Sequence, residues 1–177
     1  MARAALDAPG AKVTAAWRRL SPLPGGRWLF SLMVGRTAPY TGTIGARVEA
    51  FGDGRCVVSL RDRRSVRNHL NSVHAVALVN LAEMTSGLAM MSALPAGVRG
   101  IVVGLSIEYL RKARGRLTAE TTTTLPEVTA PCDHELVAHI RDEGGDEVAR
   151  ARIQWRLAPP RESAEVPARA GGLAGVA

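Results

Sequence analysis

Three polar residues stand out in and beside the most apolar stretch of the chain, residues 73–94. Asn68 and His74 lie six residues apart, just before this stretch and at its start, and Glu83 follows His74 by nine. A carboxylate in apolar surroundings is costly unless it is paired or its pKa rises, so such groups often mark functional sites. Glu83 could act as a general base or a nucleophile, with Asn68 and His74 orienting the reactants. A structural role, in which Glu83 pairs with an arginine or reaches water, is the alternative.

The same stretch is predicted to be a helix, and its start offers a second reactive group. Its Ala, Leu and Met content favours helix, and Pro95 and Gly97 end it. The N-terminus of a helix carries unpaired backbone N–H groups and a partial positive charge. The N–H of Ala75 could therefore bind a polarised carbonyl oxygen, as an oxyanion hole requires.

The spacing between His74 and Glu83 predicts that two subunits contribute to one site. On an ideal helix nine residues correspond to a rotation of roughly 900°, which leaves Glu83 about 180° from His74 and about 13.5 Å further along the axis. One helix cannot readily bring both side chains to one small substrate. If both act on it, they come from different copies of the chain, so we expect a homodimer or a dimer of dimers.

The elements expected around this helix are one short amphipathic helix over 12–20 and six strands. Alternating apolar residues and glycine-rich turns place the strands at residues 43–50, 55–61, 101–109, 117–123, 134–142 and 147–157. Because the long helix is apolar on nearly every side, something must wrap around it. An antiparallel sheet curled around one buried helix, in an α+β domain over residues 11–158, satisfies this requirement. Residues 1–10 and 159–177 are expected to be a flexible and a disordered tail.

Composition and charge narrow the class of protein. The 177 residues, 46% hydrophobic and 22% charged, suit one globular domain. The net charge of +7 favours an anionic partner such as nucleic acid, an acidic membrane surface or a phosphorylated cofactor. The N-terminus lacks the apolar core of a signal peptide, and the long helix is too polar for a membrane span, so we expect a cytoplasmic protein. Cys56 and Cys132 lack metal-ligand spacing, and no metal site is expected.

Two runs of sequence resemble a known superfamily. RNHLNSVHAVALVNLAE and GIVVGLSIEYLRKARGRL are similar to the hotdog-fold acyl-CoA thioesterases, in particular the PaaI-like branch, and closest to a hotdog family catalogued as a domain of unknown function. The resemblance spans about residues 17–157. It implies an antiparallel curved sheet wrapped around one long helix in a dimer. It also implies hydrolysis of acyl-CoA or acyl-carrier thioesters, with coenzyme A present only as part of the substrate and with no nucleic-acid or membrane partner.

The resemblance also assigns roles to individual residues. In similar thioesterases the residue after the motif histidine supplies the oxyanion N–H, which is Ala75 here. The asparagine six residues before the histidine, matching Asn68, helps to place the thioester or water, and the helix acid of the partner subunit, matching Glu83, is the base or nucleophile. The sequence departs from the motif of the PaaI-like enzymes at two positions that bear on turnover. Their His-Gly-Gly is His74-Ala75-Val76 here, and a Ser or Thr that often assists from the next strand is Val102 here.

Coenzyme A carries a pyrophosphate and a 3′-phosphate, which need arginine or lysine partners. The candidates lie at the connection between the third and fourth predicted strands and are Arg111, Lys112, Arg114 and Arg116. A solvated turn is an equal alternative for this run. The main rival to hydrolysis is a non-catalytic acyl-CoA-binding hotdog protein, which Val76 and Val102 favour. A hydratase or dehydratase and a nucleic-acid-binding protein are more distant alternatives.

Overall fold

The computed structural model of the chain describes residues 10–160. The two predicted tails, 1–10 and 159–177, lie almost entirely outside this range. The elements, in chain order, are α1 (Ala11–Leu20), α2 (Gly26–Thr37), α3 (Pro39–Gly42), β1 (Arg47–Gly52), β2 (Arg55–Leu60), a short 3-10 helix (Arg64–Val66), α4 (Ala75–Ala93), β3 (Arg99–Tyr109), β4 (Leu117–Thr122), β5 (Cys132–Arg141) and β6 (Glu147–Ala158).

The six strands form one antiparallel sheet in the order β1-β2-β4-β5-β6-β3. All six predicted strands are present. The turn between β1 and β2 is the predicted one, with φ of 50° at Asp53 and 75° at Gly54, as a tight hairpin turn requires. β1 begins at Arg47 rather than at residue 43, because Gly45 has a φ of 58° and interrupts the extended backbone.

The sheet curves around α4, which supplies much of the core. Eleven of its nineteen residues are buried, including Leu81, Ala82 and Met90 with no exposed surface. The inward face of β6, with Ala149, Ala151, Ile153, Trp155 and Leu157, packs in the same core. The predicted α+β architecture, an antiparallel sheet wrapped around one long helix as in the hotdog fold, is confirmed.

Two helices that the sequence did not predict, α2 and α3, lie between α1 and β1. α2 is apolar on nearly every side, so it lacks the one-sided pattern by which helices are recognised. Phe30 of α2 is fully buried, with its ring centroid 5.0 Å from that of Trp17 and 5.8 Å from that of Phe51. The ring contacts join the N-terminal helices to the sheet.

The expectation that the long helix is too polar for a membrane span is wrong by composition, because α4 is long and apolar enough, by length and composition alone, to cross a membrane. Within the domain 61% of the relevant window is buried. The central helix of a folded core passes the same test, so this property is weak evidence for membrane insertion.

Candidate functional site

The backbone N–H groups at the start of α4 differ in whether they have a hydrogen-bond acceptor. The ring Nδ1 of His74, the N-cap, accepts a hydrogen bond from the N–H of Val76 at 3.1 Å. The N–H of His74 donates to the Val66 carbonyl oxygen at 2.8 Å, and that of Ala77 donates to the His74 carbonyl oxygen at 2.9 Å. Of the four N–H groups that a helix start leaves open, only that of Ala75 finds no acceptor within residues 10–160. The helix therefore presents one free donor at the predicted position.

Asn68 shapes the loop that leads into the helix. Its side-chain Oδ1 accepts hydrogen bonds from the N–H groups of Leu70 and Ser72 at 2.9 and 3.2 Å. Its own N–H donates to the Ser72 carbonyl at 2.8 Å, and Asn71 between them has a left-handed φ of 53°, which asparagine tolerates. The amide Nδ2 of Asn68 makes no hydrogen bond inside the described region and is free to donate to a ligand.

A pocket of about 350 Å³ opens beside the start of α4, and we call it the tip pocket. The carbonyl oxygen of Ala113 connects the two walls of this pocket. It accepts hydrogen bonds from the Val73 N–H and the Ser72 hydroxyl, both at 2.8 Å. Four of the predicted site residues line this pocket: Asn68, Ala75, Arg111 and Lys112. Residues more than 30 positions apart in sequence are thus brought to one cavity.

The four residues of the predicted basic run differ in their position relative to the tip pocket. Arg111 pairs with Asp146, whereas the ammonium group of Lys112 has no acidic partner among the residues described. Arg114 donates to the carbonyl oxygen of Leu70, a residue of the pocket wall, at 3.4 Å. Arg116 does not line the pocket: its guanidinium lies 3.3 Å from a carboxylate oxygen of Glu49.

Tyr109, at the end of β3, is a site residue that sequence reasoning missed. It lines the tip pocket, and its hydroxyl donates to the carbonyl oxygen of Ala75 at 3.4 Å. Partial burial raises the pKa of this phenol. Its position at the strand end, directly before the basic run, was the signal available in the sequence.

Glu83 lies on the same helix but outside the tip pocket. Its carboxylate is half-buried and makes no hydrogen bond or ion pair within residues 10–160, so the predicted alternative of an arginine partner is not seen there. Burial raises the pKa of this carboxyl group. Glu83 shares a stripe of partly exposed positions with Val76, Val79 and Gly87, which we call the open face of α4.

The edge strand β3 is the second incompletely covered feature near the helix. It pairs with β6 on one side, and no described strand pairs with its other edge. Two large aliphatic side chains on it are exposed, Ile101 by 65% and Val103 by 51%. Val102, where the resemblance implies a Ser or Thr, is half-buried opposite Trp155 of β6.

Comparison with known proteins places the chain in a family. The model of a domain of unknown function, DUF4442, matches residues 26–157. The chain belongs to this family. The match confirms the predicted kinship with a hotdog family of unknown function, and no curated protein matches the sequence significantly.

Solved structures carry the same fold. A structural-genomics protein is similar with 29% identity and a TM-score of 0.73, over 83% of this chain and 97% of that one. A probable thioesterase from Pseudomonas aeruginosa has 20% identity and a TM-score of 0.68, over 77% and 97% of the two chains. A thioesterase from Haemophilus influenzae has 20% identity and a TM-score of 0.60, over 71% and 86%. At these identities the two thioesterases establish the fold alone.

Proposed function

We propose that the protein is a thioesterase that hydrolyses acyl-CoA thioesters at a site shared by two copies of the chain. The observation that carries the proposal is the free Ala75 N–H at the start of a long helix, opening onto a pocket that also holds Asn68 and two cationic side chains. An N–H at a helix N-terminus stabilises negative charge on an oxygen, which is what a thioester carbonyl develops during attack. The fold shared with solved thioesterases supports the same reaction class.

In the proposed reaction, one copy of the chain binds the thioester and the second copy supplies the base. The thioester carbonyl oxygen accepts the Ala75 N–H, and the Asn68 amide positions the acyl group or the water. Glu83 of the second copy removes a proton from water, whose oxygen then forms a bond to the carbonyl carbon. When the tetrahedral intermediate collapses, the carbon–sulfur bond breaks, the carboxylic acid forms, and the thiolate of coenzyme A takes up the proton. The raised pKa of Glu83 makes its carboxylate a stronger base than an exposed one.

Two features support the participation of a second copy. Glu83 lies more than two turns beyond Ala75 on one straight helix, outside the tip pocket, so the two groups of one chain do not converge. The open face of α4, apart from Glu83, and the free edge of β3 are both apolar and incompletely covered. Pairing of β3 with β3 of a second copy covers that edge and extends the sheet across a two-fold axis.

The phosphates of coenzyme A are assigned to the cationic side of the tip pocket. Lys112 has no acidic partner in the described part of the chain, and Arg111 shares an exposed ion pair that water already screens. Arg114 stands at the pocket wall through Leu70. Arg116 contributes through its charge alone, because Glu49 and Ser59 hold its guanidinium away from the pocket.

Replacement of the proposed base tests the proposal directly. Glu83→Gln removes the proton acceptor with almost no change in size, and we expect kcat to fall about 100-fold or more on acyl-CoA substrates. Glu135→Gln, an exposed carboxylate on β5 paired with Arg152, is the matched control and keeps full activity. Turnover is monitored through the release of the free thiol. The oligomeric state is measured by light scattering. Unchanged kcat in Glu83→Gln would remove the carboxylate from the mechanism.

One observation favours a second candidate function, a non-catalytic acyl-CoA-binding protein. Val76 is 51% exposed in the first turn of α4, where similar thioesterases have glycine, and its bulk restricts the approach of a substrate. Saturable binding of acyl-CoA by the wild-type chain without thiol release over a panel of acyl groups would establish this rival.

A further inference from the structure

A second and larger pocket, of about 590 Å³, lies between α2, α3 and the start of β1, and we call it the N-terminal pocket. Its volume falls in the range of small-molecule sites, roughly 300–1,000 Å³. Trp28 and Leu32 of α2 and Met84 of α4 form its apolar walls. α2 also exposes apolar side chains, with Trp28 60% and Leu29 45% exposed.

The charged groups of this pocket are all of one sign. Arg36 and Arg47 line it, and no acidic side chain does. The Nε of Arg47 is buried and has no hydrogen-bond acceptor among residues 10–160. The Glu49 carboxylate lies 3.7 Å from it, beyond hydrogen-bond distance. Ser31, one of three hydroxyl side chains that line the pocket with Thr41 and Thr43, is already engaged, because its hydroxyl donates to the Arg27 carbonyl and accepts the Val48 N–H.

Glu49 offsets this positive charge only in part, because its carboxylate is shared among three arginines. Its carboxylate lies 3.8 Å from the guanidinium of Arg27, 3.7 Å from that of Arg47 and 3.3 Å from that of Arg116. It also accepts a hydrogen bond from the Ser59 hydroxyl at 2.7 Å. One carboxylate therefore faces three guanidinium groups, and a buried N–H donor remains unpaired, which is unfavourable until an acceptor arrives.

We propose that the N-terminal pocket binds a monocarboxylate with an apolar body. The body packs against Trp28, Leu32 and Met84, and the carboxylate accepts hydrogen bonds from Arg47, with Arg36 adding positive charge at the rim. Guanidinium groups match carboxylates in geometry and charge. Met84 directly follows Glu83 on α4, and Glu83 itself does not line this pocket. Thioester hydrolysis yields this class of compound, yet the binding requires no turnover and goes beyond the proposed function.

Binding of a homologous set of ten-carbon amphiphiles to the full chain tests the proposal. Decanoate, decanol and decyltrimethylammonium are titrated below their micellar concentrations, with acetate as the anion that lacks a chain. Heat of binding reports occupancy, and the change in tryptophan fluorescence that is lost in Trp28→Phe reports occupancy beside Trp28. We expect decanoate to bind at least about tenfold more tightly than decanol, and acetate and the cation to show no saturation. Equal binding of decanoate and decanol, or no saturable binding of decanoate, would overturn the proposal.

Variants separate the head group from the chain. Arg47→Met should weaken decanoate about tenfold or more and leave decanol unchanged, whereas Arg55→Met, at the opposite end of the β1–β2 hairpin, should affect neither. Arg47→Lys keeps the charge and should lose less affinity, and it serves if the methionine variant folds poorly. Leu32→Trp fills the pocket and should weaken both ligands. Equal effects of Arg47→Met and Arg55→Met would contradict the assignment. No thioester is present, so the result is independent of whether the protein hydrolyses one.

Discussion

Among single residues, His74 and Ala75 connect the folding of the helix start with the proposed chemistry. The sequence predicts a free Ala75 N–H from its place at the helix start alone. It does not predict that the His74 ring caps the Val76 N–H, because that depends on the rotamer and tautomer of the ring. The cap consumes the neighbouring donor and leaves Ala75 as the one open group of the first turn within the described chain. The contribution of His74 therefore includes fixing the helix start on which the site depends.

A proline at position 75 removes the proposed oxyanion donor and little else. Proline is well tolerated at the first helical position, and it requires the preceding residue to be extended. His74 already has φ −64° and ψ 140°, which meets that condition. We expect Ala75→Pro to reduce kcat about 100-fold or more, with a thermal midpoint close to that of the wild type.

Steady-state kinetics and circular dichroism measure the two quantities. Ala75→Ser, which keeps the N–H, is the matched control and retains turnover. A fully active proline variant would show that the N–H of residue 75 does not bind the thioester oxygen.

Among the elements, those with a strong period were predictable and those set by tertiary contacts were not. α4 and the six strands follow from runs of apolar residues and from glycine turns such as Gly54. α2 was not predicted because it is apolar on nearly every side. Which side faces inward depends on the contact of Phe30 with Trp17 and Phe51. The N-terminal pocket, which α2 forms, was therefore also absent from the prediction. Likewise, nothing in the basic run indicates that Arg116 turns towards Glu49 on a distant strand.

The free edge of β3 gives a prediction about assembly. Val103→Lys places a charge on an exposed position of the edge strand, and charged edges oppose strand pairing between molecules. We expect the self-association constant to fall about tenfold or more. Thr122→Lys, at an exposed position of the inner strand β4, is the control and leaves association unchanged.

Sedimentation equilibrium at several concentrations measures both variants. If Val103→Lys associates as tightly as the wild type, the edge of β3 is not the contact between copies.

In the whole molecule, Glu83 and Ala75 lie more than two turns apart on α4, so the proposed mechanism requires two chains. In that proposal, the tip pocket of one chain supplies the donor and the cationic side, and the open face of α4 of a second copy supplies the carboxylate. A folded single copy then contains every proposed group and still cannot bring them to one substrate. Part of the positive charge of the described residues is paired with carboxylates on the outer surface of the sheet. Examples are Arg150 with Glu147 and Arg156 with Asp133.

Complementation between two inactive variants tests the shared site most directly. Ala75→Pro and Glu83→Gln are coexpressed with different affinity tags, and the mixed dimer is isolated by two successive purifications. In that dimer one site joins an intact Ala75 to an intact Glu83, and the other site has neither, so we expect about half of the wild-type activity per dimer. Both parental homodimers should remain at background. A mixed dimer as inactive as its parents would show that the two groups act within one chain or not at all.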